Sequence, residues 1–198
     1  MNYSSVIGLV NNAALLLALC LLYDMLGLRF QDRKSLIQQF LTGIVLGAIG
    51  LVIMSDPWDL GQGVVFDTRS VLLVISGFFF GTIPVVLAVL MTGIFRFVMG
   101  GAGVWTGLGV IVTSGAIGLL WRYYRRNTMQ NPSIGDLYLL GIVVHVAMLG
   151  WMFLLPWQVA IEVLSKISLP VMLIYPVATA ILGNLMIVSE KRRQAQAE

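Results

Sequence analysis

The sequence predicts an all-α polytopic membrane protein, and three observations carry that reading. Of its 198 residues, 59% are hydrophobic and only 11% are charged, less than half the ~25% charged share usual in soluble domains. The mean hydropathy is +0.93. The basic residues fall in short clusters between apolar runs long enough to cross a bilayer. A soluble chain of this length must show much of its exterior to water. The composition therefore excludes a soluble enzyme, a nucleic-acid-binding domain and a disordered chain. The net charge of +3 comes from the clusters between the runs, so the expected partner is the lipid bilayer of the inner (plasma) membrane and no nucleic acid.

Seven membrane segments follow in order. The first covers residues 6–26; it lacks the basic start and small-residue cleavage site of a secretory signal. The second covers 37–54. A polar stretch, 55–69, follows with Asp56, Asp59 and Asp67. Residues 70–99 hold one charge, Arg96. As a single helix they would be ~45 Å long, too long for a ~30 Å core without strong tilt. Gly81-Thr82-Ile83-Pro84 favours a break, which divides the stretch into short helices at 70–80 and 85–99. The first of these, at ~16 Å, needs protein or a watery recess around its end. A loop with Gly100, Gly101 and Gly103 leads to a fifth segment at 104–121. The sixth is 137–155. A loop with Pro156, Trp157, Glu162 and Lys166 precedes the seventh, 167–188, and the polar tail 189–198 is compatible with continued helix.

Charge sets the orientation. With seven crossings and the N-terminus outside, Arg29, Arg33, Lys34, Arg122, Arg125, Arg126, Lys191, Arg192 and Arg193 lie inside, nine of the twelve basic residues. With six crossings the inside count is seven. The positive-inside rule favours seven, with the C-terminus inside. Glycines recur at four-residue spacing (Gly43/Gly47, Gly77/Gly81, Gly103/Gly107), which suits close helix packing.

Few residues are placed to carry chemistry. One His, one Cys and nine acids form no metal-ligand or nucleophile pattern, so no cofactor, metal site or catalytic residue is expected. Arg69 and Arg96 are the unusual pair, each at the outer edge of an apolar helix. Arginine at membrane depth is costly and usually faces protein or a watery cavity. Two guanidiniums on one pocket would take a small carboxylate bidentately. The alternative is that Arg96 snorkels to the headgroups and Arg69 pairs with Asp67. Counting from the turn, eleven residues precede it to Arg69 and twelve follow it to Arg96, which returns both to one level. Asp67 is expected to orient Arg69, with Phe66 and Trp105 as walls. His145 reads as a neutral packing residue bonded to a neighbouring helix, and Asn11 and Asn12 as interhelical hydrogen-bonding groups. Trp58, Trp105, Trp151 and Trp157 suit an interfacial aromatic belt.

Asp67-Thr68-Arg69-Ser70-Val71, Ser76-Gly77-Phe78-Phe79-Phe80-Gly81-Thr82-Ile83-Pro84, Thr92-Gly93-Ile94-Phe95-Arg96 and Gly100-Gly101 together resemble the LytS-type five-transmembrane receptor domain, over roughly residues 5–190. The opening Asn11 to Leu16 and Tyr23-Asp24 resemble members that precede PAS or cyclase modules. That domain is the membrane input module of bacterial sensor histidine kinases and diguanylate cyclases. At fold level it resembles the substrate-binding components of ECF vitamin transporters, in which ligand enters from the outer face. Some kinases of the family bind pyruvate. The resemblance implies that Arg69 and Arg96 match their anion-binding arginines. Their two small polar side chains on the next helix correspond to Gly107 and Val110 here, a departure; Thr106, Thr113 and Ser114 are near but out of register.

The expected function is a sensory input domain over 1–188, with 189–198 beginning a signalling helix toward a cytoplasmic kinase or cyclase. It would bind a small extracytoplasmic carboxylate and act as a homodimer in a parent receptor. The alternative is a transporter's substrate-binding subunit.

Overall fold

A computed structural model of the protein describes residues 35–55, 58–59, 65–125 and 132–197. The segment 6–26, with Asn11, Asn12 and Cys20, and the 29–34 basic cluster lie outside the described residues. The element order is α1 (Leu36–Ser55), β1 (Trp58–Asp59), β2 (Val65–Phe66), α2 (Arg69–Ile75) running into a π-helical turn (Ser76–Phe80), α3 (Thr82–Met99), α4 (Val104–Tyr124), α5 (Ile134–Trp151) with a closing 3₁₀ turn (Met152–Leu154), and α6 (Trp157–Ala197). Five helical stretches are long and apolar enough to cross a membrane: Leu36–Ser55, Thr82–Met99, Val104–Tyr124, Ile134–Leu154 and Trp157–Ser189. Their outward faces expose Ile37, Leu90, Val112, Val146 and Leu173, as lipid-facing surfaces require.

The short α2 is the centre of the bundle. Every residue of α2 and of the π-helical turn is buried, and α2 packs against α1, α3, α4, α5 and α6. Together α2 and the turn make twelve residues of helix, ~18 Å, too short to face lipid at both ends but sheltered here on all sides. Close approach to α4 depends on missing side chains. A β-carbon on Gly77 would lie 2.7 Å from the Gly115 carbonyl oxygen, and one on Gly118 would lie 3.1 Å from Gly77 Cα. The last carbonyls of the central helix are satisfied by Arg122, whose Nη1 donates to Phe78 O at 2.8 Å and Phe79 O at 2.9 Å. This residue, counted from the sequence only as a loop charge, is structural glue between α4 and the buried turn.

The Gly81 break is present and tighter than expected. Gly81 has φ 82° and ψ −163°, a region open essentially to glycine alone. Helix α3 starts at once at Thr82, three residues before the expected start. Pro84 fits in its first turn, where the N–H has no helical partner to lose.

Two other expectations are corrected. The polar stretch 55–69 contains an antiparallel two-strand pair, Trp58 opposite Phe66 and Asp59 opposite Val65, which delivers the chain to Asp67. The loop expected at 156–166 is helix: α6 runs unbroken from Trp157 to Ala197, 41 residues, with Pro170 and Pro176 inside it. Glu162 and Lys166 sit one turn apart and pair at 2.7 Å on an exposed face, so their charge does not interrupt the helix.

Candidate functional site: a two-arginine cavity

Residues at one end of the bundle enclose a small cavity lined by Asp67, Arg69, Ser70, Arg96, Gly103, Thr106, Gly107, Val110, Met148 and Met152. Successive helices alternate in direction. The start of α2, the end of α3, the start of α4 and the end of α5 therefore meet there. Arg122 and Arg125 lie at the other end of α4, where Arg125 pairs with Asp136 of α5 at 2.8 Å.

Arg69 and Arg96 come to the cavity from opposite helix ends and are 5% and 2% exposed. Asp67 holds Arg69 from two directions. Its Oδ1 accepts the backbone N–H of Arg69 at 2.9 Å, a local Asx turn, and meets Arg69 Nε at 3.0 Å. Burial raises the Asp67 carboxyl above its usual range, while Arg69, its N–H and Arg96 oppose that rise. Arg96 Nη1 donates to Gly100 O at 2.8 Å, which ties the guanidinium to the glycine loop rather than leaving it to reach for headgroups. Among the described residues, Arg69 Nη1 and Asp67 Oδ2 are buried with no hydrogen-bond partner. An unsatisfied donor and an unsatisfied acceptor thus belong to two residues that line the cavity, and a buried group in that state is costly unless something fills it.

The cavity is small, about 30 Å³. The lining is part polar (Asp67, Ser70, Thr106) and part apolar (Val110, Met148, Met152). The two expected walls behave differently from the arginines. Trp105 is 70% exposed and lies outside the lining; on a helix turning ~100° per residue, it is Thr106 and Gly107 that face the cavity. Phe66 is brought beside Asp67 by β2, and its side chain lies outside the described part. Gly107 and Val110 do line the space, and Thr106 joins them despite the register expected from sequence. Thr113 instead accepts a hydrogen bond from Trp151 Nε1 at 2.8 Å, which ties α5 to α4 and takes Trp151 out of the purely interfacial role expected for it.

Sequence reasoning missed Ser70, Met148 and Met152. It also set His145 apart from the site. His145 is wholly buried and bridges to the cavity wall: its Nε2 lies 3.1 Å from Ser70 Oγ and its Nδ1 2.6 Å from Gly141 O. Its ring packs edge-on against Tyr175 of α6, centroids 5.1 Å apart.

The described residues thus combine five helices long and apolar enough to cross a membrane with a buried two-arginine cavity. The chain matches a protein-family description, 5TMR of 5TMR-LYT, over residues 20–188, and it belongs to that family of sensory membrane domains of signalling proteins. No curated protein and no solved structure gives a significant match.

Proposed function

We propose that this domain is the sensory input of a bacterial signal-transduction receptor, that it binds a small extracytoplasmic carboxylate between Arg69 and Arg96, and that it signals through α6 to a cytoplasmic kinase or cyclase. The observation that carries this is the pair of buried arginines on separate helices lining one small cavity. A guanidinium in a membrane domain is retained against a substantial cost, and the planar fork suits a carboxylate. Asp67 neutralises one of the two cations, leaving one net positive charge for one anion. The small volume favours an acid of two or three carbons over a vitamin-sized ligand, which argues against the transporter reading. The long continuous α6, ending in a polar stretch, supplies a rigid element from the cavity end of the bundle to the basic end.

The proposed topology has seven crossings, N-terminus outside, with 1–188 as the sensor and 189–198 leading toward the effector. The support is the inside count of nine basic residues and the placement of Arg122 and Arg125 at the end opposite the cavity. Cysteines introduced at Gln62 and Gln130 are expected to label from opposite sides; labelling from one side would make α2 a re-entrant element and overturn the seven-crossing scheme.

Calorimetry of the purified protein against two- and three-carbon carboxylates tests the binding reading. A charge-assisted contact is worth ~1.5–3 kcal/mol, so Arg96→Ala is expected to weaken binding roughly ten- to a hundred-fold. Arg96→Lys should restore it only in part, because lysine lacks the planar fork. Equal binding by the Arg69→Ala, Arg96→Ala and parent proteins would show the arginines to be structural.

A further inference from the structure

The polar groups around the cavity select for more than a carboxylate. Gly141 O is a carbonyl and can only accept, so the proton on His145 sits on Nδ1 and points to it. A wholly buried ring with a carbonyl and a hydroxyl as its hydrogen-bond partners is neutral. Nε2 is then an acceptor, and Ser70 must donate its single hydroxyl proton to it. What Ser70, 1% exposed, offers the cavity is therefore the lone pairs of Oγ. Asp67 Oδ2 is a buried acceptor with no partner among the described residues, and Asp67, like Ser70, lines the cavity. The lining thus holds two acceptors beside the cationic clamp.

We propose that the ligand is a small 2-hydroxycarboxylate: its carboxylate meets Arg69 and Arg96, and its hydroxyl donates to Ser70 Oγ or Asp67 Oδ2. This deepens, and rests on, the carboxylate reading above. A 2-oxo acid brings no donor for Ser70 Oγ or Asp67 Oδ2. An unsubstituted acid leaves Asp67 Oδ2 bare. A 2-amino acid supplies donors, but its ammonium cancels its carboxylate, so the net positive charge of Arg69, Arg96 and Asp67 goes unbalanced in a low-dielectric site. Met148 and Met152, flexible apolar side chains, receive the carbon end. His145 is a positioning residue: it fixes which way the Ser70 proton points.

The test is calorimetry of the purified full chain in nanodiscs with matched probes: glycolate, glyoxylate, glycine and acetate, then lactate, pyruvate, alanine and propionate. The hydroxy acid of each set is expected to bind about tenfold or more tighter than its three analogues. His145→Phe frees the Ser70 proton to turn inward. That variant should lose the hydroxy-acid preference and gain affinity for the 2-oxo acid, a reversal that a merely structural role for His145 would not produce. Ser70→Ala should narrow the preference while keeping arginine-dependent binding of acetate. If a 2-oxo, 2-amino or unsubstituted acid binds as tightly as the hydroxy acid in the parent protein, the hydroxyl assignment is overturned and the carboxylate clamp stands. If no carboxylate binds, or binding ignores Arg96→Ala, the clamp falls and the hydroxyl assignment with it.

Discussion

Arg96 of α3 lies against the bare backbone of Gly107 in α4: a β-carbon at Gly107 would sit 2.5 Å from Arg96 Nε and 3.0 Å from its Cδ. The arginine reaches the cavity only because that position carries no side chain. Gly107→Ala should therefore act on the site rather than on the helix. Alanine gains up to ~1 kcal/mol of helix propensity, which offsets part of the crowding, while the guanidinium must shift from its place over the cavity. The expected outcome is about a tenfold loss of carboxylate affinity with a melting temperature close to that of the parent. A melting temperature that collapses while residual binding is unchanged would place Gly107 in the packing of α3 on α4 and not in the site.

The Asp67–Arg69 pair is buried on both sides, with side chains 0% and 6% exposed. Removing one partner of such a pair is expensive because the other is left as an uncompensated buried charge, about 3–5 kcal/mol. Arg69→Ala should thus lower stability as well as binding. Asp67→Leu combined with Arg69→Met, which removes both charges and keeps apolar volume, should recover most of the stability and none of the binding. Thermal denaturation in detergent reads the first effect and calorimetry the second. Additive losses in the double variant would show that the two residues are not coupled.

The spans and the arginines are legible in the sequence for the same reason: lipid punishes polarity. Runs of apolar residues stand out, and so does a guanidinium inside one. Single-residue signals are weaker wherever packing decides. Trp105 reads as a wall, but one residue along a helix is ~100° of rotation, and Thr106 and Gly107 face inward instead. Ser70, Met148 and Met152 enter the site only because α2 sits in the middle of the bundle with the end of α5 beside it; no spacing in the chain announces that meeting. Glu162 and Lys166 imitate a loop in composition, yet their i,i+4 pairing on an exposed face leaves the helix intact.

Acid should tighten carboxylate binding. Burial raises the Asp67 carboxyl above its ordinary value, against the pull of Arg69 and Arg96. A carboxyl with a raised folded-state pKa favours the fold most when protonated. Its contribution to stability is full below the unfolded value and is lost as pH rises through the folded one. In the same window, protonation of Asp67 takes the site from one net positive charge to two. A ligand whose own carboxyl titrates near the ~3.9 of a model carboxylic acid remains ionised through much of it. Acetate affinity is expected to rise as pH falls from neutral through the raised titration of Asp67, and the advantage of glycolate over acetate should shrink, because a protonated Asp67 is a poorer acceptor. Asp67→Asn should flatten the first trend. Acetate binding that weakens in this range for the parent would contradict the assignment of Asp67 as the titrating group.

Output should depend on the stiffness of α6 beyond the membrane. The helix extends 41 residues from Trp157 to Ala197, ~60 Å at 1.5 Å per residue, twice what a ~30 Å hydrocarbon core needs. Tyr175, which packs against His145 behind the cavity wall, lies within its membrane-spanning part, whereas 190–197 lie past the span that ends at Ser189. Within the span the helix already accommodates Pro170 and Pro176, where neighbouring helices and lipid hold its shape. Past Ser189 that support ends, and a proline there should cost the helix its full ~3 kcal/mol. Arg193→Pro in a full-length receptor is therefore expected to leave carboxylate affinity unchanged while abolishing the ligand-dependent change in the proposed kinase or cyclase output. Pro170→Ala, inside the bundle, should leave that coupling in place. A normal response from Arg193→Pro would mean that the signal leaves the domain by another route and that the helical extension does not transmit it.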